Sequence, residues 1–179
     1  VAGGMDQSRR PQLAQLRAQE ARRAETVRLE HAQQAVAALL RRLLERSADH
    51  VQQIVIDPEG DFVTLSGPHG HIAIEAVDYS AVEISHFARR CREHRTSVVL
   101  SLEGLEMEGQ MRCAASFLAG LFDAPPEHWY PALVIVDEAQ RVKNWNTIAA
   151  RALKRIDSPY AVVLTGTPLE NKLEELISI

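Results

Sequence analysis

Lysine and glycine are scarce in this sequence, and their placement excludes the ordinary phosphate-binding loop of nucleotide-binding proteins. That loop needs glycines followed by a lysine and then a serine or threonine. The three lysines, Lys143, Lys154 and Lys172, all lie late in the chain, and no glycine occurs between Gly4 and Gly60. The sequence therefore encodes no such loop.

Cysteine and long apolar runs are also in short supply. The two cysteines, Cys91 and Cys113, fit no metal-binding spacing. No apolar run approaches the length of a membrane span, and the first residues lack the apolar core of a signal peptide. We therefore expect a cytoplasmic protein with reduced thiols and no membrane contact. The initial Val1 and the abrupt end at Ile179 suggest a truncated chain.

Charge is distributed unevenly. Residues 1–49 hold nine arginines against six acids, a net charge of +3, whereas residues 50–179 hold eleven basic residues against eighteen acids, a net charge of −7. The basic segment could contact nucleic acid. Arginines interleaved with glutamates are also typical of a solvated helix face, so both interpretations stay open.

The N-terminal segment has strong helix composition. Residues 12–48 contain no glycine or proline and are dominated by Ala, Leu, Arg, Gln and Glu. Its apolar stripe is sparse at first and dense from Val36 onward. We predict one long helix or a helical hairpin in residues 1–48, and a separate domain in residues 49–179.

The rest of the chain alternates between short strands and helices. Apolar or β-branched runs predict strands at 51–56, 97–102, 132–136 and 160–165. Helical spacing predicts helices at 79–94, 107–122 and 146–156, with another after Pro168. Strands without polar alternation, separated by helices, indicate an α/β fold with a mostly parallel sheet covered on both faces.

Polar residues stand where several of these strands end. Asp57, Asp137 and Thr165 each follow a predicted strand, and ligands of such sheets bind beyond the carboxyl ends of the strands. Asp137 could hold Mg²⁺, which prefers oxygen ligands. Glu138 could orient or deprotonate an attacking water. The alternative is a helix-capping acid after a core strand.

One family resemblance covers residues 133–179. The segments "VDEAQRVKNWNT" and "LTGTPLENKLEEL" resemble motifs II and III of Swi/Snf-type DNA translocases, which are superfamily-two helicase relatives. The resemblance implies a three-layer, RecA-like P-loop-NTPase fold that uses Mg²⁺ with ATP. It implies Mg²⁺ binding by Asp137, water activation by Glu138 and nucleotide sensing by Gln140. Coupling of nucleotide state to DNA contacts would fall to Thr165, Gly166 and Thr167.

A second resemblance covers residues 40–140. "QQIVIDPEGDFVTL", "HRTSVVLSLEGL" and "WYPALVIVDEAQ" are similar to the ATPase domain of HerA/FtsK-type bacterial DNA translocases. It implies that Asp57, Glu59 and Asp61 lie beside a nucleotide, although "DPEGD" could simply be an acidic turn. The chain thus resembles a hybrid of two translocase sequences joined at "DEAQ", and a bacterial origin is expected.

The predicted function is an ATPase-core module of a DNA translocase, with DNA as the parent protein's partner. Without the loop lysine, and without the arginine finger of a second lobe, we expect very poor ATP hydrolysis by this chain alone. A second lobe or partner chain would have to supply both groups. The alternative is a non-catalytic α/β module that binds a partner protein through its N-terminal helix.

Overall fold

The structure, a computed structural model, describes residues 9–137, with only the backbone described for residues 9–14 and Gln33. Three helices and four strands make up this region. In chain order they are α1 (Arg9–Ser47), β1 (Gln52–Asp57), β2 (Ile72–Glu75), α2 (Ala81–Glu93), β3 (Val98–Ser101), α3 (Met107–Phe122) and β4 (Ala132–Val136). Single 3-10 turns lie at Val63–Ser66, Ala76–Asp78 and Pro126–His128.

The strands form one parallel sheet in the order β2-β3-β1-β4. Each parallel connection needs a crossover, and α2 and α3 provide two of them. These helices pack against each other on one face of the sheet, and α1 packs on the other. The predicted α/β fold with helices on both faces of a parallel sheet is confirmed, and it is consistent with a RecA-like architecture.

The core has one part on each face of the sheet, because side chains alternate along a strand. Ile54 and Ile56 of β1 pack with α2 and α3, whereas Val55 packs with α1. The larger cluster includes Phe117 and Leu118 of α3, both fully buried. Burying each such side chain contributes about 1.5–3 kcal/mol to folding. The packing of α2 and α3 on the sheet therefore holds the strands, and with them the carboxyl edge of the sheet, in place.

The N-terminal segment forms a single helix rather than a hairpin in the described region. Only its second half contacts the sheet, where Leu40 and Leu44 are buried against β1, β3 and β4. Arg41 reinforces this contact by donating hydrogen bonds to the Asp61 carbonyl (3.3 Å) and the Thr64 hydroxyl (2.6 Å). Residues 15–28 are exposed, so α1 extends beyond the domain.

Two buried glutamines anchor the amino end of β1. The Gln52 amide donates to the carbonyls of Cys91 (2.7 Å) and Thr96 (2.9 Å), and its oxygen accepts from Arg92. Arg92 also donates to the Tyr130 carbonyl at 2.6 Å. These bonds tie the end of α2 to β1 and to the segment that leads into β4. They satisfy polar groups that would otherwise be costly to bury.

The second glutamine, Gln53, joins α1 to His71. Its amide donates to the Leu44 carbonyl and the Ser47 hydroxyl, both at 2.9 Å, so its oxygen must accept from Nε2 of His71 at 2.8 Å. The neutral His71 ring therefore carries its proton on Nε2. Its Nδ1 is buried and has no hydrogen-bond partner among the described residues.

We expect acidification to weaken the fold through His71. Burial lowers the pKa of His71 below its ordinary value of 6.5, so the unfolded chain binds the proton first. The stability that comes from the neutral ring is fully present above pH 6.5 and falls as the pH drops towards the lowered pKa. Urea unfolding should show this decline in the parent, and a smaller decline in His71→Gln.

The matched control is His50→Gln, because His50 lies exposed in the turn before β1. This variant should keep the parent's pH dependence. Equal pH profiles for the parent and His71→Gln would contradict the assignment.

None of the described helices is long and apolar enough to cross a membrane. The predicted helix at 146–156, the strand at 160–165 and the helix after Pro168 lie outside the described residues. The division into segments 1–48 and 49–179 stays a prediction.

Candidate functional site

Two aspartates leave the sheet side by side at its carboxyl edge. Ile56 of β1 pairs with Val136 of β4, and the next residues are Asp57 and Asp137. The backbone N–H of Asp137 donates to the Ile56 carbonyl at 3.0 Å, which holds the two strand ends together. Asp57 and Asp137 thus both stand at strand ends, as the apolar runs predicted, and the strand pairing places these two ends next to each other.

The Asp57 carboxylate is fully buried and closes the loop that follows β1. One oxygen accepts the backbone N–H groups of Gly60 (2.9 Å) and Asp61 (3.2 Å), and the other accepts that of Phe62 (2.8 Å). Burial raises the pKa of the Asp57 carboxyl, and these donors offset only part of that rise. Both oxygens are thus engaged within the protein.

The loop turns back over the strand end at Gly60. Its φ of +83° is a conformation that favours glycine. A Cβ atom there would lie 2.6 Å from a carboxylate oxygen of Glu103, in the turn after β3. Glu59, Asp61 and Glu103 are exposed around it. The described part of the edge is therefore rich in acids, and it would repel nucleotide phosphates unless a cation lay between them.

Ser101 and Gln110 complete the described edge, and sequence reasoning missed both. Ser101, at the end of β3, pairs with Asp57 and is fully buried. Gln110, in the first turns of α3, is buried with its amide directed at the carbonyls of Leu102 (3.3 Å) and Pro58 (3.5 Å). The Ser101 hydroxyl and the Gln110 carbonyl oxygen have no hydrogen-bond partner among the described residues. Their burial depends on strand order, which no local sequence signal encodes.

The described donors suit magnesium only as part of a nucleotide complex. No group of three or more His, Cys, Asp or Glu residues in the described region could hold a metal by itself. Mg²⁺ keeps several waters and often takes only one or two carboxylates together with substrate phosphates. Asp137 lies half-buried at the strand end, where one carboxylate of such a complex is expected. Both oxygens of Asp57 already accept backbone N–H groups, which makes Asp57 a poor ligand.

Five residues of the predicted site lie outside the described residues: Glu138, Gln140, Thr165, Gly166 and Thr167. Their roles stay predictions, and so does the expected neighbouring position of the Asp137 and Thr165 strand ends. The roles predicted for Asp57, Glu59 and Asp61 beside a nucleotide also stay predictions. The structure places all three around the loop after β1.

Comparison with known proteins shows that the C-terminal part of the chain is similar to a known protein domain. Residues 126–179, which begin just before β4 and its Asp137, match the SNF2-related domain. The Swi/Snf-type resemblance of residues 133–179 is thereby supported.

Individual relatives give the same picture. DNA repair protein RAD5B of Arabidopsis thaliana is 32% identical over 106 residues, which are 59% of this chain and 8% of the relative. An uncharacterized ATP-dependent helicase of Schizosaccharomyces pombe is 49% identical over 51 residues, 28% of this chain and 5% of the relative. Human chromodomain-helicase-DNA-binding protein 8 is 52% identical over 46 residues, 26% of this chain and 2% of the relative. The chain spans less than a tenth of each relative's length.

The RAD5B match reaches well upstream of the SNF2-related segment. A match of 106 residues in a chain of 179 must include residues 74–106, wherever it begins. That stretch contains α2 and β3, which lie within residues 40–140, the part predicted to resemble the HerA/FtsK-type domain. Nothing in the comparisons supports the HerA/FtsK hybrid, a bacterial origin or a cytoplasmic location, which stay predictions. No solved structure matches the chain.

Proposed function

We propose that this chain is part of the ATPase core of a Swi/Snf-type DNA translocase. The observation that carries the proposal is the position of Asp137 at the carboxyl end of β4, inside the segment that matches the SNF2-related domain. A carboxylate at a strand end of a parallel sheet lies where ligands of such folds bind. The relatives' names, ATP-dependent helicase and chromodomain-helicase-DNA-binding protein, support ATP and DNA as ligands.

In this proposal, residues at and after the end of β4 have separate roles in binding and hydrolysing the nucleotide. Asp137 contributes a carboxylate ligand to Mg²⁺·ATP, and Glu138 orients or deprotonates the attacking water. Gln140 senses the nucleotide, and Thr165, Gly166 and Thr167 couple its state to DNA. The metal supplies charge compensation for the phosphates when it is bound. The acidic described edge makes that compensation necessary, because Glu59, Asp61 and Glu103 surround the same end of the sheet.

Nucleotide binding by the full chain tests the proposal. Calorimetry with ATP should show binding that depends on Mg²⁺. Asp137→Asn should weaken it about tenfold or more, equivalent to about 1.4 kcal/mol, because a neutral amide is a poor ligand for a hard cation. The control is Asp49→Asn, which removes one exposed charge at the opposite, amino edge of the sheet and should leave binding unchanged.

Either of two results would refute the nucleotide site: no magnesium-dependent binding by the parent, or equal losses in Asp137→Asn and Asp49→Asn. Hydrolysis is expected to stay near background in both proteins, since the chain encodes no phosphate-binding lysine loop. Phosphate release at an ordinary enzymatic rate by the isolated chain would contradict that part.

A non-catalytic interaction module is the second candidate. It is favoured by one observation, the exposure of α1 over residues 15–28 beyond its contact with the sheet. In that case Asp137 and Glu138 are inherited features without a ligand. A parent chain that fails to bind Mg²⁺·ATP but captures a protein through α1 would favour this candidate.

A further inference from the structure

The exposed side of α1 carries a row of arginines. Arg17, Arg28, Arg42 and Arg46, called the arginine stripe below, are separated by eleven, fourteen and four residues. These spacings are close to three, four and one turns of an α-helix. The four side chains therefore emerge within about 40° of one another, along about 43 Å of the helix.

The stripe points away from the sheet. Leu40 and Leu44, which dock α1, lie about 150° around the helix from it. All four stripe arginines are exposed. Within residues 15–137 none of the four has an ion pair; the pair that the structure records on α1 joins Arg41 to Glu45 instead.

The stripe contains no acid. The four glutamates of α1, Glu20, Glu25, Glu30 and Glu45, each lie about 60° or more from its centre. The residues between the arginines on this side include three alanines, Ala21, Ala24 and Ala35, and one exposed leucine, Leu39. This arrangement differs from a solvated face of alternating charges, which the composition alone could equally indicate.

We propose that the arginine stripe is a docking surface for the phosphate backbone of duplex DNA. Arginine forms paired hydrogen bonds to phosphate, and a row of about 43 Å suits a long, straight polyanion rather than a small anion. Residues 50–179 carry a net charge of −7, which repels DNA. We therefore expect DNA to contact α1 rather than the rest of the chain. This inference rests on the proposed function, which is the reason for choosing DNA rather than RNA as the ligand.

A second copy of the chain fits this surface less well. The exposed apolar residues of α1 are Leu16, Val27, Leu39 and Leu43. Leu16 and Val27 lie on one side of the helix, but the twelve residues from Val27 to Leu39 turn the row by about 120°. A coiled coil needs a continuous apolar seam, and these residues do not form one.

The test is fluorescence anisotropy of the full chain with a labelled DNA duplex of about 30 base pairs, longer than the stripe, at several salt concentrations and without nucleotide. The stripe variant is Arg17→Ala/Arg28→Ala, and the matched control is Arg22→Ala/Arg23→Ala. Both remove two exposed arginines from the same part of α1, but Arg22 and Arg23 lie off the stripe. Alanine favours the helix in all four cases.

The parent should bind the duplex, and its affinity should fall steeply with salt. The stripe variant should lower the salt slope by about two and the affinity about tenfold or more at low salt, whereas the control should change the slope by less than about one. Arg17→Lys/Arg28→Lys keeps the charge and should keep the salt slope. Circular dichroism of each variant checks that helix content is retained.

Several results would overturn the proposal. These are no duplex binding by the parent, equal losses in the stripe and control variants, tighter binding to an RNA duplex or polyglutamate, or a parent dimer that Arg17→Ala/Arg28→Ala dissociates. The nucleotide-binding test on Asp137→Asn is done without DNA. A failure of the stripe and a failure of the nucleotide site are therefore distinguishable.

Discussion

Replacing Gly120 with alanine is expected to lower the free energy of unfolding by about 2–3 kcal/mol. Gly120 is buried where α3 crosses α2. An added Cβ would collide with the backbone carbonyl oxygen of Ser85 and lie 2.9 Å from the Cβ of Ala88. A backbone atom cannot rotate away, so the two helices must separate. That cost exceeds the gain of about 1 kcal/mol that alanine normally brings to a helix interior.

Gly109, in the same helix, provides the matched control. A Cβ atom there would meet only the side chain of Leu105, at 3.6 and 3.7 Å, which is ordinary van der Waals contact. Gly109→Ala should therefore be neutral or stabilising by about 0.5 kcal/mol. Urea unfolding of both variants measures the contrast. If Gly120→Ala were as stable as Gly109→Ala, the close packing of α2 on α3 would be refuted.

This pair of glycines illustrates what the sequence could and could not predict. The helix predicted at 107–122 has the same bounds in the structure, because its apolar periodicity is strong and local. Gly109 and Gly120 look equivalent within that pattern. Only the positions of Ser85 and Ala88, more than thirty residues earlier in the chain, make a side chain costly at Gly120 and not at Gly109.

For the strands, too, the sequence predicted the individual elements but not how they pack together. The apolar runs predicted β1, β3 and β4, since a strand buried on both faces needs no polar alternation. They did not give the order β2-β3-β1-β4, which depends on contacts between distant segments. The glutamines of "VQQIVI" look unsuited to a core strand. They are buried because the end of α1 and, farther along the chain, His71 and Arg92 supply their hydrogen-bond partners.

From the sequence, individual acids at strand ends of the candidate site could be predicted, but not the residues that lie beside them. Acids that follow apolar runs indicated Asp57 and Asp137, and the parallel sheet brings them together. Ser101 gave no such signal, because its burial beside Asp57 is a matter of register. The roles of residues such as Gln140 and Thr165 came from family resemblance rather than from the physics of the strand.

Asp57 is the residue for which resemblance and geometry suggest different roles. Asp57→Ala is expected to lower the free energy of unfolding by about 3 kcal/mol, because three backbone N–H groups lose a charged acceptor. The loop would also release Phe62, a side chain only 1% exposed in the core between β1 and α1. Losing the buried charge offsets part of this cost, since burial raises the pKa of the Asp57 carboxyl.

Two comparisons separate loop closure from a direct nucleotide contact. Asp57→Asn keeps one acceptor oxygen but turns an amide towards the N–H of Phe62, so it should cost about half as much as alanine. Asp61→Ala, which changes an exposed carboxylate of the same loop, should stay within about 0.5 kcal/mol of the parent. Urea unfolding without nucleotide measures all three.

Because the lost hydrogen bonds are internal, the Asp57 variants should be destabilised with or without Mg²⁺·ATP. An Asp57→Asn protein as stable as the parent, but unable to bind Mg²⁺·ATP, would instead make this carboxylate part of the nucleotide site.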